Sequence, residues 1–510
     1  MKNEGKKGDE NFDFDLIVIG GGPAGYTAAI HARQHSLTTA LVEERELGGT
    51  CLNRGCIPTK ALIDVANVLR TIRDAAKRGL DFTGADPSKF GVKMPDILKS
   101  KERMVKKMTT GIAVLLRENN VTTLSGTASL TVPKTAGEPF VVTVTKDGNS
   151  KQYKSRKVIL ATGSVPSELA IRGADSPKLA DRIFNSDAML DINFVPEKLI
   201  VIGGGVIGIE LAQVFHEFGS KVQIVEMQSS LVNSILDTEI EDALKKSLNA
   251  RGIVVRTDAS IESIESTESG LRLNLTDGEK IEGTHILSAI GRKPDRRILD
   301  AIGVTETFVN VDERMRTKIP GLFAVGDING QCMLAHAAMR MGRIAAISTG
   351  DELLGEQAGF EPELETLRRE TTRYPELIAE LFPFYSPIVI YGEPEVACIG
   401  LPEKLARQRF GNDIKVGHFP MAANGRAVAS CSQEGFVKVV RCESNDRLIG
   451  VQIIGSYASE IINEASAVFF TATPLRQLQQ ALHAHPTFGE AFVEAVADSR
   501  GEAVHIPPKK

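Results

Sequence analysis

The chain of 510 residues has few cysteines, little net charge and no long apolar run. Six cysteines without a regular framework exclude a disulfide-stapled secreted scaffold and favour a reducing compartment. A formal net charge of −5 gives no electrostatic reason to expect a nucleic-acid or membrane partner. No stretch is apolar enough to cross a bilayer, and the first residues lack the apolar core of a signal peptide. We therefore expect a cytoplasmic, globular protein of three or four domains.

Two of the cysteines lie close together in the segment GGTCLNRGCIPTK. Cys51 and Cys56 are separated by four residues, which is a poor spacing for zinc and lacks a second pair of ligands, so we predict no metal site. An i,i+5 pair in a regular helix lies about 8–9 Å apart, beyond the limit of about 7 Å for a disulfide. Bridging them requires a distorted segment, and its glycines supply that freedom. A small-ring disulfide indicates redox chemistry, whereas two unrelated buried cysteines are the alternative.

A dinucleotide-binding pattern occurs twice, in DLIVIGGGPAG and, 183 residues later, in LIVIGGGVIG. In each copy a short strand pattern runs into G-x-G-x-x-G, and a helical pattern and a second strand follow, ending at an acidic residue. The first glycine makes the turn, the second admits a pyrophosphate, the third packs helix on strand, and the acid accepts from ribose hydroxyls. The first glycine series is Gly20, Gly22 and Gly25 with Glu43, and the second is Gly203, Gly205 and Gly208 with Glu226. One copy would be weak evidence, but two predict two dinucleotides.

The two dinucleotides are expected to be a flavin and a nicotinamide. Thiols exchange electrons readily with a flavin, so FAD is expected at the first series, beside the cysteines. MQSSLV after Glu226 offers no arginine or lysine for a 2′-phosphate, which favours NAD over NADP at the second. A third segment, TKIPGLFAVGD, places Gly326 and Asp327 at the carboxyl end of a strand. There Asp327 is expected to accept from ribityl hydroxyls, although alone it would indicate only a turn.

Together these motifs resemble those of the pyridine nucleotide–disulfide oxidoreductases. Within that family, the resemblance to dihydrolipoamide dehydrogenases is the strongest. The resemblance runs from about Phe14 to Val496 and also includes ATGSVP, AIGRKPD, FAVGD, MLAHAA, EPEVACIG, ANGRA and HAHPTFGE. It implies an α/β fold with two Rossmann-like dinucleotide-binding domains and an α+β C-terminal dimerisation domain. The implied division is a disordered extension at 1–13, the FAD-binding domain at 14–165, the NAD-binding domain at 166–290, a central domain completing the FAD site at 291–354, an inserted helical segment at 355–384 and the dimerisation domain at 385–510.

The resemblance also implies roles for single residues. Cys51 is the thiol that meets the substrate, Cys56 the thiol against the flavin, Lys60 a flavin neighbour paired with Glu210, and His485 a base oriented by Glu490. The implied FAD-binding set is Gly20, Gly22, Gly25, Glu43, Gly49, Thr50, Lys60, Ala128, Gly163, Gly326, Asp327 and Ala335. The implied NAD-binding set is Gly203, Gly205, Gly208, Glu210, Glu226 and Gly291. In this family the histidine reaches the disulfide of the partner subunit, so a homodimer is expected and a monomer should be inactive.

The implied reaction is oxidation of protein-bound dihydrolipoyl groups with NAD⁺ as hydride acceptor. Thiolate is the nucleophile in disulfide exchange, so a dithiol substrate needs a base that titrates near working pH, and histidine suits that role. The expected partner is a lipoyl-bearing acyltransferase or a glycine-cleavage carrier protein. Two alternatives stay open: the same machinery acting on another disulfide, as in glutathione reductase, and a non-catalytic flavoprotein scaffold.

Some residues depart from the family pattern or carry no predicted chemistry. Arg54 lies between the two cysteines, where it would lower a thiol pKa, bind an anionic substrate or turn to solvent. The segment 355–384 is longer than usual and suggests two short helices that begin at prolines. We expect His336 and His483 to be hydrogen-bonding residues near the site. We expect the remaining cysteines to be small apolar residues, namely Cys332, Cys398, Cys431 and Cys442.

Overall fold

The computed structural model describes residues 11–86, 89–135, 137–232, 235–355 and 386–508. The predicted helices of the inserted segment and most of the predicted N-terminal extension therefore lie outside the described residues. The chain divides into two compact units. The first comprises Met1–Pro58, Ser100–Val165 and Arg292–Pro383, and the second comprises Thr59–Lys99, Pro166–Gly291 and Phe384–Lys510.

A mostly parallel sheet forms the centre of the first unit. Its strands are β1 (Phe14–Ile19), β2 (Thr39–Glu43), β3 (Thr122–Ser125), β4 (Thr127–Thr131), β5 (Phe140–Lys146), β6 (Asn149–Leu160) and β17 (Leu322–Ala324). The order is β3-β2-β1-β6-β5-β4, and β17 pairs in parallel with the end of β6. A separate two-stranded sheet joins β7 (Ser164–Pro166) to β16 (Arg292–Pro294). The helices are α1 (Pro23–Gln34), α2 (Gly49–Arg54), α4 (Met94–Glu118), whose first six residues belong to the second unit, α8 (Arg297–Ala301) and α9 (Ala335–Leu354).

Small residues let α1 and α9 pack closely beside this sheet. The inward face of α1 consists of buried alanines, including Ala24, Ala28 and Ala32. A Cβ on Gly342 of α9 would lie 2.3 Å from the carbonyl oxygen of Ala24, so only glycine fits that crossing. The carboxyl ends of β1, β6 and β17 thereby face the amino ends of these helices, where a nucleotide binds in such folds.

The second unit holds a parallel sheet with a small antiparallel one beside it. The parallel order is β11-β10-β9-β15-β8, and the antiparallel order is β12-β13-β14. The strands are β8 (Ile183–Asn185), β9 (Lys198–Ile202), β10 (Lys221–Val225), β11 (Val254–Arg256), β12 (Ile261–Thr267), β13 (Gly270–Leu275), β14 (Lys280–Gly283) and β15 (His285–Ser288). The helices are α3 (Cys56–Ala75), whose first three residues belong to the first unit, α5 (Ser186–Met189), α6 (Val206–Phe218) and α7 (Thr238–Ala250).

The C-terminal part of the second unit is α+β. Its antiparallel sheet has the order β18-β19-β22-β21-β20. The strands are β18 (Ile388–Ile390), β19 (Val396–Gly400), β20 (Ile414–Pro420), β21 (Phe436–Cys442) and β22 (Arg447–Ile454), and the helices are α10 (Glu403–Phe410), α11 (Gly425–Ala429), α12 (Ala458–Thr471), α13 (Leu475–Leu478) and α14 (Glu490–Asp498). The predicted fold class is confirmed. Among the described residues, no helix combines the length and apolarity of a membrane span.

One apolar cluster fixes α3 and α6 against β18 and β19. It includes Leu62 of α3, Phe215 of α6, Ile390 of β18 and Val396 of β19, each at most 1% exposed. Because these side chains interdigitate, polar residues on the same elements are held at defined separations.

Candidate active site and cofactor sites

The cysteine segment is a helix interrupted at one residue. Helix α2 ends at Arg54 and α3 begins at Cys56, with Gly55 between them. A Cβ on Gly55 would lie 3.1 Å from the carbonyl oxygen of Thr50 and 3.5 Å from the Cα of Cys51, so the interruption folds back on the first cysteine. The predicted distortion is confirmed. The near contact of the two cysteines fits a redox-active disulfide.

Glycines also join the cysteine segment to the first glycine series. Gly48 and Gly49 have φ of 90° and 56°, in the left-handed region that favours glycine. The amide of Gly48 donates to the carbonyl oxygen of Gly21 at 2.8 Å. A Cβ on Gly49 would lie 2.7 Å from the Cα of Gly22. The loop before Cys51 therefore lies directly against the dinucleotide turn.

Two charged or titratable side chains lie near the cysteines. Arg54 donates from Nη1 to Glu46 Oε2 at 2.8 Å, and its side chain is only 23% exposed. Of the three alternatives for Arg54, the one in which its side chain turns to solvent is therefore excluded. Burial, and secondarily the charge of Cys51, raises the pKa of Tyr26, so its hydroxyl is held neutral beside Cys51.

In the first glycine series, two glycines pack against the protein and the third borders space for a ligand. A Cβ on Gly20 would lie 2.2 Å from the carbonyl oxygen of Ala161, and one on Gly25 would lie 1.8 Å from that of Gly20. A Cβ on Gly22 would meet only Gly49, at 3.9 Å. Packing within the protein therefore accounts for the outer two glycines, whereas Gly22 borders space that a pyrophosphate fits.

The second glycine series repeats this arrangement. A Cβ on Gly203 would lie 2.4 Å from the carbonyl oxygen of Ala289, and one on Gly208 would lie 2.1 Å from that of Gly203. A Cβ on Gly205 would meet no atom within 4 Å. Gly205 is the N-cap residue of α6, as Gly22 is of α1. Because glycine has no side chain, neither residue accepts a hydrogen bond from the amides of the first helical turn. These amides can bind a phosphate.

The two acidic residues have the same geometry in both copies. Glu43 Oε2 accepts from the amide of Gly21 at 2.7 Å, and Glu226 Oε2 accepts from the amide of Gly204 at 2.7 Å. Burial raises the pKa of Glu43, although the amides of Arg45 and Gly21 oppose the rise. Each carboxylate is thus fixed at the carboxyl end of its strand with lone pairs left for ribose hydroxyls.

Asp327 belongs to a hydrogen-bonded chain rather than to an isolated turn. It follows β17 in the short 3-10 helix Gly326–Asn329. Ser164 donates from Oγ to Asp327 Oδ2 at 2.5 Å, and Arg292 donates from Nε to Ser164 Oγ at 2.9 Å. Arg292 Nη2 also lies 3.5 Å from Thr50 Oγ1. Sequence reasoning missed Ser164 and Arg292, because the pairing of β7 with β16 that brings them together has no local signal.

Further predicted cofactor residues lie around the two sites. Gly163 and Gly291 have positive φ, and a Cβ on either would meet no atom within 4 Å, so both border open space. The preceding Thr162 Oγ1 is buried without a partner among the described residues, as expected of a group that meets a ligand. Ala335 begins α9, and Ala128 lies on β4. The residues present therefore fit an FAD site in the first unit and a second dinucleotide site in the second.

Lys60 and Glu210 form the predicted ion pair within the second unit. Lys60 Nζ lies 2.8 Å from Glu210 Oε2 and 3.0 Å from Oε1. Glu210 is 2% exposed. Burial raises the pKa of Glu210, and Lys60 opposes that rise. Lys60 also lies 4.4 Å from the ring centroid of Tyr391, a neighbour that the sequence did not indicate.

His485 and Glu490 form the other predicted pair, at the beginning of α14. His485 Nδ1 is 2.9 Å from Glu490 Oε1. The amide of Thr487 donates to Glu490 Oε2 at 2.7 Å, and Asn424 Nδ2 donates to the carbonyl oxygen of Thr487 at 3.0 Å. Burial would raise the pKa of Glu490, but the amide of Thr487 and the imidazole of His485 outweigh it, so this pKa is lowered. The imidazole is oriented by its partner but 76% exposed, so it can act on another molecule.

The predicted environments of the remaining histidines and cysteines are confirmed only in part. His483 hydrogen-bonds Glu464 at 2.7 Å, as expected. The expectation of small apolar cysteines holds for Cys332 and Cys398, which are buried. It is wrong for Cys431, which is exposed at φ 55°, and incomplete for Cys442, which donates from Sγ to Asp413 at 3.0 Å. The exposure of Cys431 follows from the turn in which it lies, and the environment of Cys442 follows from its hydrogen bond to Asp413.

Comparison with known proteins identifies the family of this chain over most of its length. The model of the pyridine nucleotide-disulphide oxidoreductase family matches residues 14–342, and the model of the dimerisation domain of that family matches residues 386–496. A dihydrolipoyl dehydrogenase of Chlamydia muridarum is 35% identical over 98% of this chain and 100% of its own length. Another, from Thermus scotoductus, is 34% identical over 97% and 99%.

Solved structures give the same fold. LpdA of Mycobacterium tuberculosis has a TM-score of 0.79 at 26% identity, covering 94% of this chain and 98% of that one. RclA of Escherichia coli, an HOCl-induced flavoprotein disulfide reductase, has a TM-score of 0.75 at 24% identity over 95% and 99%, which shows the fold alone. The family uses FAD and NAD, and the matched dimerisation domain supports a homodimer. The chain therefore belongs to the pyridine nucleotide–disulphide oxidoreductases and is an oxidoreductase with a redox-active cysteine pair.

Proposed function

We propose that the protein oxidises protein-bound dihydrolipoyl groups to lipoyl groups and reduces NAD⁺. The observation that carries the proposal is the imidazole of His485, which Glu490 orients while most of its surface stays exposed. A base of this kind suits a substrate that must lose thiol protons before it can attack a disulfide. The dihydrolipoyl dehydrogenase relatives support the choice of dithiol.

The cysteine pair performs thiol–disulfide exchange in two steps. A substrate thiol gives its proton to His485, and the resulting thiolate attacks Cys51 Sγ, which breaks the Cys51–Cys56 bond and releases Cys56 as thiolate. The second substrate thiol then attacks the substrate sulfur of the mixed disulfide, and its proton passes to Cys51, which leaves as a thiol. The substrate leaves as a cyclic disulfide, and its electron pair stays on the two cysteines.

The cofactor sites follow from the two glycine series. When bound, FAD supplies the two-electron transfer between the cysteine pair and NAD⁺. Gly22, Glu43 and Asp327 would hold the pyrophosphate, ribose and ribityl parts of FAD. Gly205 and Glu226 would hold NAD⁺, and the absence of arginine and lysine in MQSSLV favours NAD⁺ over NADP⁺.

The direct test is NADH formation with dihydrolipoamide and NAD⁺, run beside NADPH oxidation with glutathione disulfide. Turnover in the first assay alone supports the proposal. Turnover in the second alone, or in neither while the flavin is still reduced by other thiols, contradicts it and moves attention to Arg54 as a selector of substrate.

Matched cysteine variants show whether the pair does the chemistry. Cys51→Ser should abolish dithiol oxidation while FAD stays bound, because FAD binding does not need the thiol. Cys431→Ser should behave like wild type, since that thiol is exposed and in none of the sites. A Cys51→Ser protein that still turns over would contradict the mechanism and favour a scaffold or another route.

A further inference from the structure

A cleft lies at the amino ends of β9 and β10, within the second unit. Its volume is about 670 Å³, which is in the range of pockets that hold small organic ligands. The charged and titratable residues that line it are Arg73, Lys198, His216, Lys221 and Glu282. Gly203 directly follows the last residue of β9, so the second glycine series lies at the opposite end of that strand, about 16 Å away. The cleft is therefore separate from the predicted dinucleotide site.

Two of the lining residues are lysines that lie side by side. Lys198 and Lys221 begin the two strands, and they are direct partners in the parallel register of β9 and β10. Partner residues on neighbouring strands carry their side chains on the same face, where like charges repel each other. Both lysines are exposed, and among the described residues neither ammonium forms an ion pair with a carboxylate. An anion between the two ammonium groups would remove this repulsion.

The carboxylates at the cleft are already paired with other cations. Glu282, which lines the cleft, lies 2.9 Å from Arg272 Nη2 through its Oε1. Glu217 pairs with Arg73 at 3.3 Å. Because these carboxylates compensate arginines, the charges of the two lysines remain as a positive excess at the cleft.

Two further lining residues hold buried polar atoms without a partner. Arg73 is fixed through its terminal nitrogens, since Nη1 and Nη2 donate to the carbonyl oxygens of Glu217 and Phe90 at 2.9 and 3.1 Å. Arg73 Nε and His216 Nδ1 are buried, and neither has a hydrogen-bond partner among the described residues. Buried polar atoms nearly always have a protein, water or ligand partner. These two atoms therefore indicate a polar occupant of the cleft.

We propose that this cleft binds a small organic anion with at least two negative charges, and that Lys198 and Lys221 hold its charged groups. Lysine binds carboxylate and phosphate groups as a compact point charge. A single negative charge would leave one ammonium uncompensated, so at least two are expected. Val254 also lines the cleft and is 45% exposed, which provides an apolar contact for the carbon skeleton. The site is independent of the redox reaction, so its test needs no turnover.

The test is calorimetric titration of citrate and of inorganic pyrophosphate into FAD-loaded protein at low ionic strength. Saturating NAD⁺ is present, so that the probes do not bind at the glycine-rich turns. Lys198→Met/Lys221→Met should weaken binding of the tighter probe by about tenfold to a hundredfold, because two charge-assisted contacts are lost. Lys246→Met, at an exposed position on α7, is the matched control and should bind like wild type. Tighter citrate indicates a polycarboxylate ligand, and tighter pyrophosphate indicates a phosphate compound.

Thermal unfolding of the same variants gives a second measurement. Without a probe, the double variant should be at least as stable as wild type, because the repulsion between the lysines is gone. With the probe, wild type should be stabilised and the double variant should not. If neither probe binds, or if Lys246→Met weakens binding as much as the double variant does, the cleft is no anion site and the proposal is overturned. If the double variant does not fold, Lys198→Met and Lys221→Met, each alone, decide the question by the same comparison.

Discussion

At the scale of single residues, the hydroxyl of Ser164 connects two charged groups of the predicted FAD site. It accepts from Arg292 and donates to Asp327 at 2.5 Å, and Ser164 is 7% exposed. A buried hydroxyl with both bonding roles filled fixes its neighbours, whereas a buried group left without its partner costs the full desolvation penalty. Ser164 therefore determines the orientation of Asp327.

Replacing this hydroxyl should weaken FAD binding more than it weakens the fold. Ser164→Ala leaves Asp327 without its donor, and we expect FAD affinity to fall by about fivefold to a hundredfold. FAD fluorescence on dilution measures the dissociation constant. Ser129→Ala, at an exposed position on β4, is the matched control. Equal affinities in both variants would show that Asp327 does not need Ser164.

At the scale of elements, each dinucleotide site consists of a strand, a turn and a helix that must approach closely. The outer glycines are required by the protein itself, because a side chain would overlap a backbone oxygen. That oxygen belongs to the same turn for Gly25 and Gly208, and to Ala161 or Ala289 for Gly20 and Gly203. Packing within the protein does not require the middle glycine of the second series, since a side chain at Gly205 would enter open space. Glycines with the same spacing therefore have separable functions.

Two alanine substitutions in the second series should separate folding from binding. Gly208→Ala places a Cβ 2.1 Å from a carbonyl oxygen, so we expect the free energy of unfolding to fall by about 2 kcal/mol or more. Gly205→Ala should cost less than about 1 kcal/mol as a cap residue yet weaken NADH binding by about tenfold or more. Thermal unfolding and NADH titration measure the two effects. If both variants lose stability and affinity in parallel, the division is wrong.

At the scale of the whole molecule, a buried lysine connects the half of the second unit that contains the second glycine series to the C-terminal half of that unit. Lys438 of β21 is 3% exposed in its side chain and lies 3.0 Å from Asp237 and 2.7 Å from Glu403. Glu239 of α7 is its third partner. Burial opposes the charge of Lys438, but these carboxylates raise its pKa. The pKa values of Glu239 and Glu403 are lowered because Lys438 and their other partners outweigh burial.

Lys438→Met should destabilise the protein by about 3 kcal/mol at neutral pH, because three carboxylates lose their buried cation. Carboxyls with lowered pKa stabilise the fold above about pH 4, the unfolded value, and lose this contribution as pH falls through the folded value. The difference from wild type should therefore shrink in acid. Urea unfolding at several pH values measures it. Lys415→Met removes an exposed pair and should cost less than about 1 kcal/mol; a similar loss in both would refute the role of burial.

The expected homodimer leads to a prediction that can be tested only with two different chains in one dimer. If His485 acts on the cysteine pair of the other protomer, mixing Cys51→Ser and His485→Gln chains creates dimers with one intact site. An equal mixture of inactive parents should then recover about a quarter of wild-type activity after subunit exchange. Homodimers of either variant provide the controls. No recovery, with exchange verified by differently tagged chains, would place both groups in one chain.

Local sequence was sufficient for much of the site. The spacing of the glycines and acids predicted both dinucleotide turns, and helix geometry predicted a distortion between Cys51 and Cys56 if these two bridge. Such features depend on a few consecutive residues, whose backbone preferences are encoded where they act. The hydrogen bond of Cys442 was missed because its partner Asp413 lies 29 residues away, and the exposed position of Cys431 was missed although the turn in which it lies is local.

The sequence by itself determined the fold class and the two glycine-rich turns, and it predicted the cysteine, histidine and glutamate groups of the site. Only the tertiary structure decided which side chains complete them. Ser164 meets Asp327 across 163 residues, whereas the pairing of Lys60 with Glu210 across 150 residues was already implied by the resemblance. Tyr391 contacts that pair only because α3, α6 and β18 share one apolar cluster. Contacts over such separations depend on how whole elements pack, and packing is a property of the assembled core rather than of any local stretch of chain.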